Sequence, residues 1–252
     1  LLASLGAVIA GIILSKMVSP YSFATCFFVA SALYAISWFF LNATREPKRI
    51  ITKNEESPSP IWHDVLRILK GDLHFRSFII SRAISQFGMM AFAFYTVFAV
   101  KILKMDTVTM GVMTAILMIT QVVANPLLGR LADIWSRKWV MVLGGIAAIL
   151  SALLALFIKG STLFSLVFIL EGVALTCYWT IGLAISLEFG NEHDRPTYVG
   201  MTNTLVSPST ILAPLVGGFL ADAFGYPVTF ITSAIFGLIA VFTLGLMVKD
   251  PA

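Results

Sequence analysis

The sequence predicts an all-α, polytopic membrane protein, and three observations carry that reading. Of 252 residues, 58% are hydrophobic and 12% charged, against roughly 45–50% and about 25% in soluble globular domains. Mean hydropathy is +0.92. The apolar residues are gathered rather than scattered. Charge-free runs cover 17–44, 83–100, 107–129, 139–158, 196–221 and 223–248, and 160–187 is interrupted only by Glu171. Each run reaches, or nearly reaches, the roughly 17–25 residues that a helix needs to cross a bilayer. The third observation is that Lys and Arg cluster between these runs on one side. So few charges could not cover the surface of a soluble protein. Disorder, a secreted disulfide scaffold and a water-soluble enzyme are excluded.

Spans are expected at 1–15, 21–41, 78–100, 108–130, 139–158, 162–187, 198–219 and 227–247. The first begins abruptly at Leu1, with no Met, basic n-region or cleavage site. It reads as the tail of a span rather than a signal peptide. Between the second and third spans lies a linker, 42–76. Its residues 45–60 are charged and polar, with Pro47, Pro58 and Pro60. Ser59 can cap a helix that Pro60 begins. Trp62, Val65, Leu66, Leu69 and Leu73 then recur at helical spacing opposite Asp64, Arg67 and Lys70, and Gly71 weakens or ends the run. This short amphipathic helix either lies on the inner membrane surface or packs on the protein's own cytoplasmic face. Pro126, Pro208 and Pro214 fall inside later spans as expected kinks. Cys26 and Cys177 sit in separate spans, with no disulfide or metal-ligand pattern. His63, His74 and His193 lie far apart in cytoplasmic segments and form no ligand set.

The loops alternate between two sides. One side holds twelve Lys and Arg, seven of them in the linker region and three at Arg130, Arg137 and Lys138; the other holds Lys16, Lys101, Lys104 and Lys159. The positive-inside rule places the first side, with the linker and the C-terminus, in the cytoplasm. The net charge of +4 is thereby read as topology, not as a nucleic-acid footprint.

The chain also resembles itself. Leu5/Leu212, Gly11/Gly218, Pro20/Pro227 and Phe23/Phe230 share one offset on equivalent span–loop–span segments. Parallel repeats of this kind mark transporters built from two like halves. The second half has a long stretch before Leu212, whereas four residues precede Leu5. Roughly 130 residues, enough for about four spans, are therefore expected to be missing from the first half.

The most specific motif is Gly129-Arg130-Leu131-Ala132-Asp133-Ile134-Trp135-Ser136-Arg137-Lys138, in the turn between two spans. It resembles the G-x-L-a-D-r-x-G-r-k loop signature of the major facilitator superfamily. Gly129, Leu131, Ala132, Asp133, Arg137 and Lys138 match, while Ile134 and Ser136 stand where Arg and Gly are usual. Physically, a glycine permits close helix approach. An acid among basic groups at a helix end can latch two helices. Arg195-Pro196, Tyr198, Gly200 and Asn203, followed by Pro208, Pro214, Gly217-Gly218 and Gly225-Tyr226, are similar to the penultimate span of bacterial members.

The resemblance covers essentially the whole chain. It implies a truncated helix 5, helix 6 and a six-helix bundle of helices 7–12. The domains would be 1–41, a remnant of the N-terminal bundle; the linker 42–76; and 77–252, the C-terminal bundle. It further implies secondary transport of a small solute, with halves rocking about a central cavity. The first, second, fourth and fifth helices of a half would line that cavity, and the third and sixth would face outward. The in-membrane polar residues fit this plan. Gln86 and Tyr95, Gln121 and Asn125, Glu171 and Trp179, and Asn203 all fall on the expected lining spans. Strong hydrogen-bonding groups belong in the protein interior or near water.

Glu171 is the sharpest single residue, about ten residues and so roughly 15 Å into its span. It could exchange a proton, pair with a cationic substrate, or serve as a structural acid bonded to a neighbouring helix. Gln86, Gln121, Asn125 and Asn203 could line the pathway or bond between helices. Arg82, only a turn inside its span, is expected to snorkel to the cytoplasmic interface. Nothing in the sequence indicates a cofactor, a metal or an ATP-binding loop, so ion coupling, with protons as the leading ion, or plain facilitation is expected. The expected partners are a solute, the lipid bilayer of the plasma (inner) membrane and the missing N-terminal helices. The alternative function is a receptor or scaffold on the same fold.

Overall fold

A computed structural model of the chain describes residues 22–43, 61–190 and 195–248. Among the described residues the regular elements are all helices. The span expected at 1–15, and with it most of the first copy of the repeat, lies outside the described residues. Helix α1 is Ser22–Ala43, matching the span expected at 21–41. Six further helical stretches are long and apolar enough to cross a membrane: Leu73–Lys101, Val108–Ile134, Arg137–Phe157, Ser161–Ser186, Arg195–Phe224 and Tyr226–Met247. They coincide with the six spans expected from charge-free runs.

The linker helix α2, Ile61–Gly71, ends at the glycine that the sequence marks. Val65, Ile68 and Leu69 pack against a buried cluster that includes Phe75, Phe78 and Phe189, while Leu66, Arg67 and Lys70 are exposed. Val65 and Leu69 of the expected apolar face therefore rest on the bundle itself, whereas Leu66 and Leu73 are exposed. Asp72 then starts α3, Leu73–Gly88, its carboxylate accepting the Phe75 N–H at 2.9 Å. That bond satisfies one of the orphan donors of a helix N-terminus.

The first span is not one helix, as the sequence suggests, but two. Helix α3 stops at Gly88, and α4, Phe92–Lys101, resumes after a three-residue break. The cause lies on α10, Tyr226–Met247. Gly88 packs backbone to backbone on Gly237: a Cβ at Gly88 would stand 2.9 Å from the Gly237 Cα. Ser233 donates to the Gly88 carbonyl at 2.6 Å and accepts the Ala91 N–H at 3.4 Å. One hydroxyl thus serves both sides of the break, as a backbone away from water requires.

The second span is α5, Thr107–Ile134, and the third is α6, Arg137–Phe157, with Ser136 capping it through the Trp139 N–H. The fourth span contains α7, Ser161–Thr176, one π-helical turn at Cys177–Ile181, and α8, Gly182–Ser186. The fifth, α9, is Arg195–Phe224 and keeps Pro208 and Pro214 inside one helix. Helix α10 lies against α3 and α6, α6 also against α7, and α7 against α5. Aromatic side chains fill the two ends. Phe75 meets Tyr198 at 4.6 Å at one, and Phe98 meets Phe230 at 5.2 Å at the other.

The third and sixth spans each carry an exposed apolar stripe. On α6 it is Trp139, Leu143, Ile146, Leu150, Leu153 and Phe157; on α10 it includes Val228, Ile231, Ile235, Leu238, Phe242 and Leu246. Yet α6 is not peripheral: 61% of its central residues are buried, against 17% in α5 and in α9. Its small residues, Gly144, Gly145, Ala147, Ala148, Ala152 and Ala155, form the buried face and let α7 and α10 approach closely.

Candidate functional site

A cavity of about 430 Å³ opens between α3, the start of α4, the fourth span and α9. Its walls are largely apolar, with Met89, Met90, Phe92, Leu175, Trp179, Val206 and Ile211. The polar groups are few: Arg82 and Gln86 from α3, and Thr202, Asn203, Ser207 and Thr210 from α9. Arg82 and Gln86 are four residues apart, so both project from one face of α3. Thr202, Ser207 and Thr210 each return their hydroxyl to a carbonyl of their own helix. Apolar walls with a few placed polar groups are the usual make-up of a small-molecule site.

Three of the sequence candidates therefore meet in one place: Gln86, Trp179 and Asn203. Four do not line it. Asn125 accepts a hydrogen bond from Thr180 at 2.7 Å and donates to the carbonyl of Gln121 at 2.8 Å. It ties α5 to the π turn beside Trp179. Tyr95 and Glu171 are buried inside the bundle, 1% exposed each. The hydroxyls of Tyr95 and Ser151 are bonded at 2.9 Å, and Ser151 also bonds the Val167 carbonyl. The Glu171 oxygen Oε1 has no hydrogen-bond partner among the described residues.

Arg82 corrects the sequence reading. It does not snorkel to the interface but stands in the cavity wall. Its Nη1 donates to the Tyr178 carbonyl at 2.8 Å, and its guanidinium lies 5.8 Å from the Tyr178 ring centroid. The π turn supplies that carbonyl, because the Gly182 N–H is directed to Cys177 and Trp179 instead.

The loop motif builds a second site at one end of the bundle. Asp133 lies in the last turn of α5 and Arg137 opens α6; they pair at 3.3 Å. Arg137 also pairs with Glu188, just past α8. One guanidinium thus joins three spans. Lys138 is buried with its ammonium 5.1 Å from the Trp139 ring, and Trp135 stacks on Trp139. Arg130 is exposed. Gly129 does not mediate a close approach here, since a Cβ on it would meet nothing within 4 Å.

The family model for the Major Facilitator Superfamily matches residues 78–252. The chain belongs to the Major Facilitator Superfamily. Among curated relatives, it is 28% identical over 150 residues to multidrug resistance protein 2 of Bacillus subtilis, covering 60% of this chain and 37% of that protein. It is 28% identical over 120 residues to multidrug resistance protein MdtL of Shewanella oneidensis, covering 48% and 30%. The chain thus spans about a third of the length of these relatives. Among solved structures, it is similar to a crystal structure of the nucleoside transporter NupG, with a TM-score of 0.75 and 18% identity over 98% of this chain and 66% of that one. This last likeness establishes the superfamily fold: an all-helical, multi-pass membrane architecture. The superfamily is one of transporters rather than enzymes. Among the cavity residues, what sequence reasoning missed is the pairing of Arg82 with a π turn. A lone Arg followed four residues later by Gln86 inside an apolar run was the available signal.

Proposed function

We propose that the chain is part of a secondary transporter that moves a small, partly apolar solute by alternating access. The observation that carries this reading is the mostly apolar cavity with Arg82, Gln86 and Asn203 on its walls, set within a six-span superfamily half. The relatives named for multidrug resistance support movement of a drug-like small molecule, and the apolar walls suit an apolar body. In this reading residues 1–41 belong to the N-terminal bundle, 42–76 are the linker, and 77–252 form the C-terminal bundle, completed by N-terminal helices of the same protein. The loops carrying most Lys and Arg face the cytoplasm, as does the C-terminus, and the protein resides in the plasma membrane. The Arg137 pairs with Asp133 and Glu188 act as a latch, closed in one state of the cycle and parted in another. Coupling is to protons through Glu171. Its sealed position away from the cavity argues against direct contact with a cationic solute and suits a proton carried apart from the solute.

Full-length protein in cells depleted of background efflux tests the reading. At least one amphipathic dye or solute from a broad panel should change its accumulation on expression. The change should collapse when the proton gradient is dissipated. No change with any solute at verified membrane expression would refute the transport reading. A change that survives loss of the gradient would refute proton coupling alone.

A further inference from the structure

We propose that Arg82 is the anion receptor of the cavity, and that the solute is an amphipathic organic anion whose carboxylate, or a like oxyanion, seats on this guanidinium. This proposal rests on the transport reading and narrows it to a substrate class.

The site is built around the guanidinium. The π turn turns the Tyr178 carbonyl toward Nη1 at 2.8 Å. The Tyr178 ring lies 5.8 Å from the guanidinium carbon. The guanidinium packs directly on Gly182, where a Cβ would sit 2.9 Å from Nη1 and 3.1 Å from the guanidinium carbon and would displace it. These three features hold one planar group in one place. A guanidinium carries five N–H donors. The carbonyl uses one, and the buried Nε has no hydrogen-bond partner among the described residues.

Among the described residues the guanidinium makes no ion pair, and none of those lining the cavity is acidic. A carbonyl and an aromatic face stabilise a cation but do not neutralise it. An unneutralised charge away from bulk water is costly. A fixed, pre-oriented fork with donors to spare is suited to planar, bidentate recognition of an oxyanion. The rest of the wall defines the rest of the ligand. Gln86 stands one turn along α3 and can bond a second polar atom. Met89, Phe92, Trp179 and Ile211 offer an apolar bed for the body.

The test uses purified full-length protein and matched probe pairs: benzoate with benzamide, 2-naphthoate with 2-naphthamide, and octanoate with octanamide. Binding is read by ligand-induced thermal stabilisation and by quenching of tryptophan fluorescence. At least one carboxylate should bind about tenfold or more tightly than its amide. Arg82→Gln should abolish that preference, and Arg82→Lys should restore part of it. Gly182→Ala, which keeps the charge and crowds the guanidinium, should weaken carboxylate binding while sparing the amide. Absence of any carboxylate preference, or a preference unchanged in Arg82→Gln, overturns the proposal. The latter result would mean that an acid elsewhere in the full-length protein neutralises Arg82. Loss of solute movement in cells would refute transport and leave the binding preference to be judged separately.

Discussion

Replacing Gly88 with alanine tests how the broken first span is held. The new Cβ would stand 2.9 Å from Gly237 Cα and 3.0 Å from Gly237 N. Non-bonded carbons rest at about 3.5–4.0 Å, so α3 and α10 must part by roughly 0.6–1 Å. Backbone on both sides cannot yield as a flexible side chain could. Overpacking of this kind costs about 1–3 kcal/mol. Parting also stretches the Ser233 bond to the Gly88 carbonyl, and such bonds contribute about 0.6–1.7 kcal/mol inside membranes. Alanine's better helix propensity returns up to about 1 kcal/mol. The net is a loss of about 1–4 kcal/mol. Gly245→Ala is the comparison, because a Cβ there meets nothing within 4 Å; it should be neutral or slightly stabilising. The assay is thermal unfolding of full-length protein in mild detergent. A shift of about 2–4 °C per kcal/mol is expected for a unit of this size. Equal midpoints for Gly88→Ala and Gly245→Ala would refute the close-approach account.

Further tests address the ion pairs, the buried acid and the topology. Glu188→Gln should slow transport several-fold at equal expression while changing stability by less than about 1 kcal/mol, since the pair is partly exposed. The double exchange Arg137→Glu with Glu188→Arg should recover part of the rate, and no recovery would argue against a direct latch. Asp133→Asn should impair transport more than insertion, and wild-type rates would remove Asp133 from the latch. Glu171→Gln should abolish pH-driven accumulation yet preserve solute exchange; an unchanged pH dependence would leave Glu171 a structural acid. Single cysteines placed within 42–60, 131–138 or 188–197 should resist impermeant thiol reagents in intact cells, and labelling of all three from outside would invert the topology.

The spans were legible because their signal is local. Twenty apolar residues without charge have few alternatives, and the Gly129–Lys138 motif fixed one turn by residue type alone. What stayed hidden depends on partners. The break after Gly88 is caused by Gly237 and Ser233, nearly 150 residues away, and no property of Gly88-Met89-Met90-Ala91 announces it. The π turn at Cys177–Ile181 is likewise invisible in composition. Without it Arg82 has no carbonyl to hold it in the wall, and an arginine near the end of a span reads as a snorkelling one. Depth in the membrane could be counted for Glu171, but not direction. Burial against Ser151 and Tyr95, rather than in the cavity, follows from how α7 rotates against α6. Gln86, Trp179 and Asn203 were found because polarity in an apolar helix selects interior faces. That rule could not separate them from Asn125, which bonds Thr180 of the π turn, or from Gln121, which stands outside the cavity.

The position of α10 has a consequence for biogenesis. Synthesis delivers this helix after the other spans of the bundle, yet it is the neighbour of α3 and α6, the first and third. Until residues 226–247 enter the bilayer, the Gly88 carbonyl and the Ala91 N–H await Ser233. The Gly237 contact that seats α3 is likewise unmade. Before then the break at residues 88–91 lacks the helix that covers it. A chain halted after α9 would leave that polar break unsealed, and the arrival of α10 hides it.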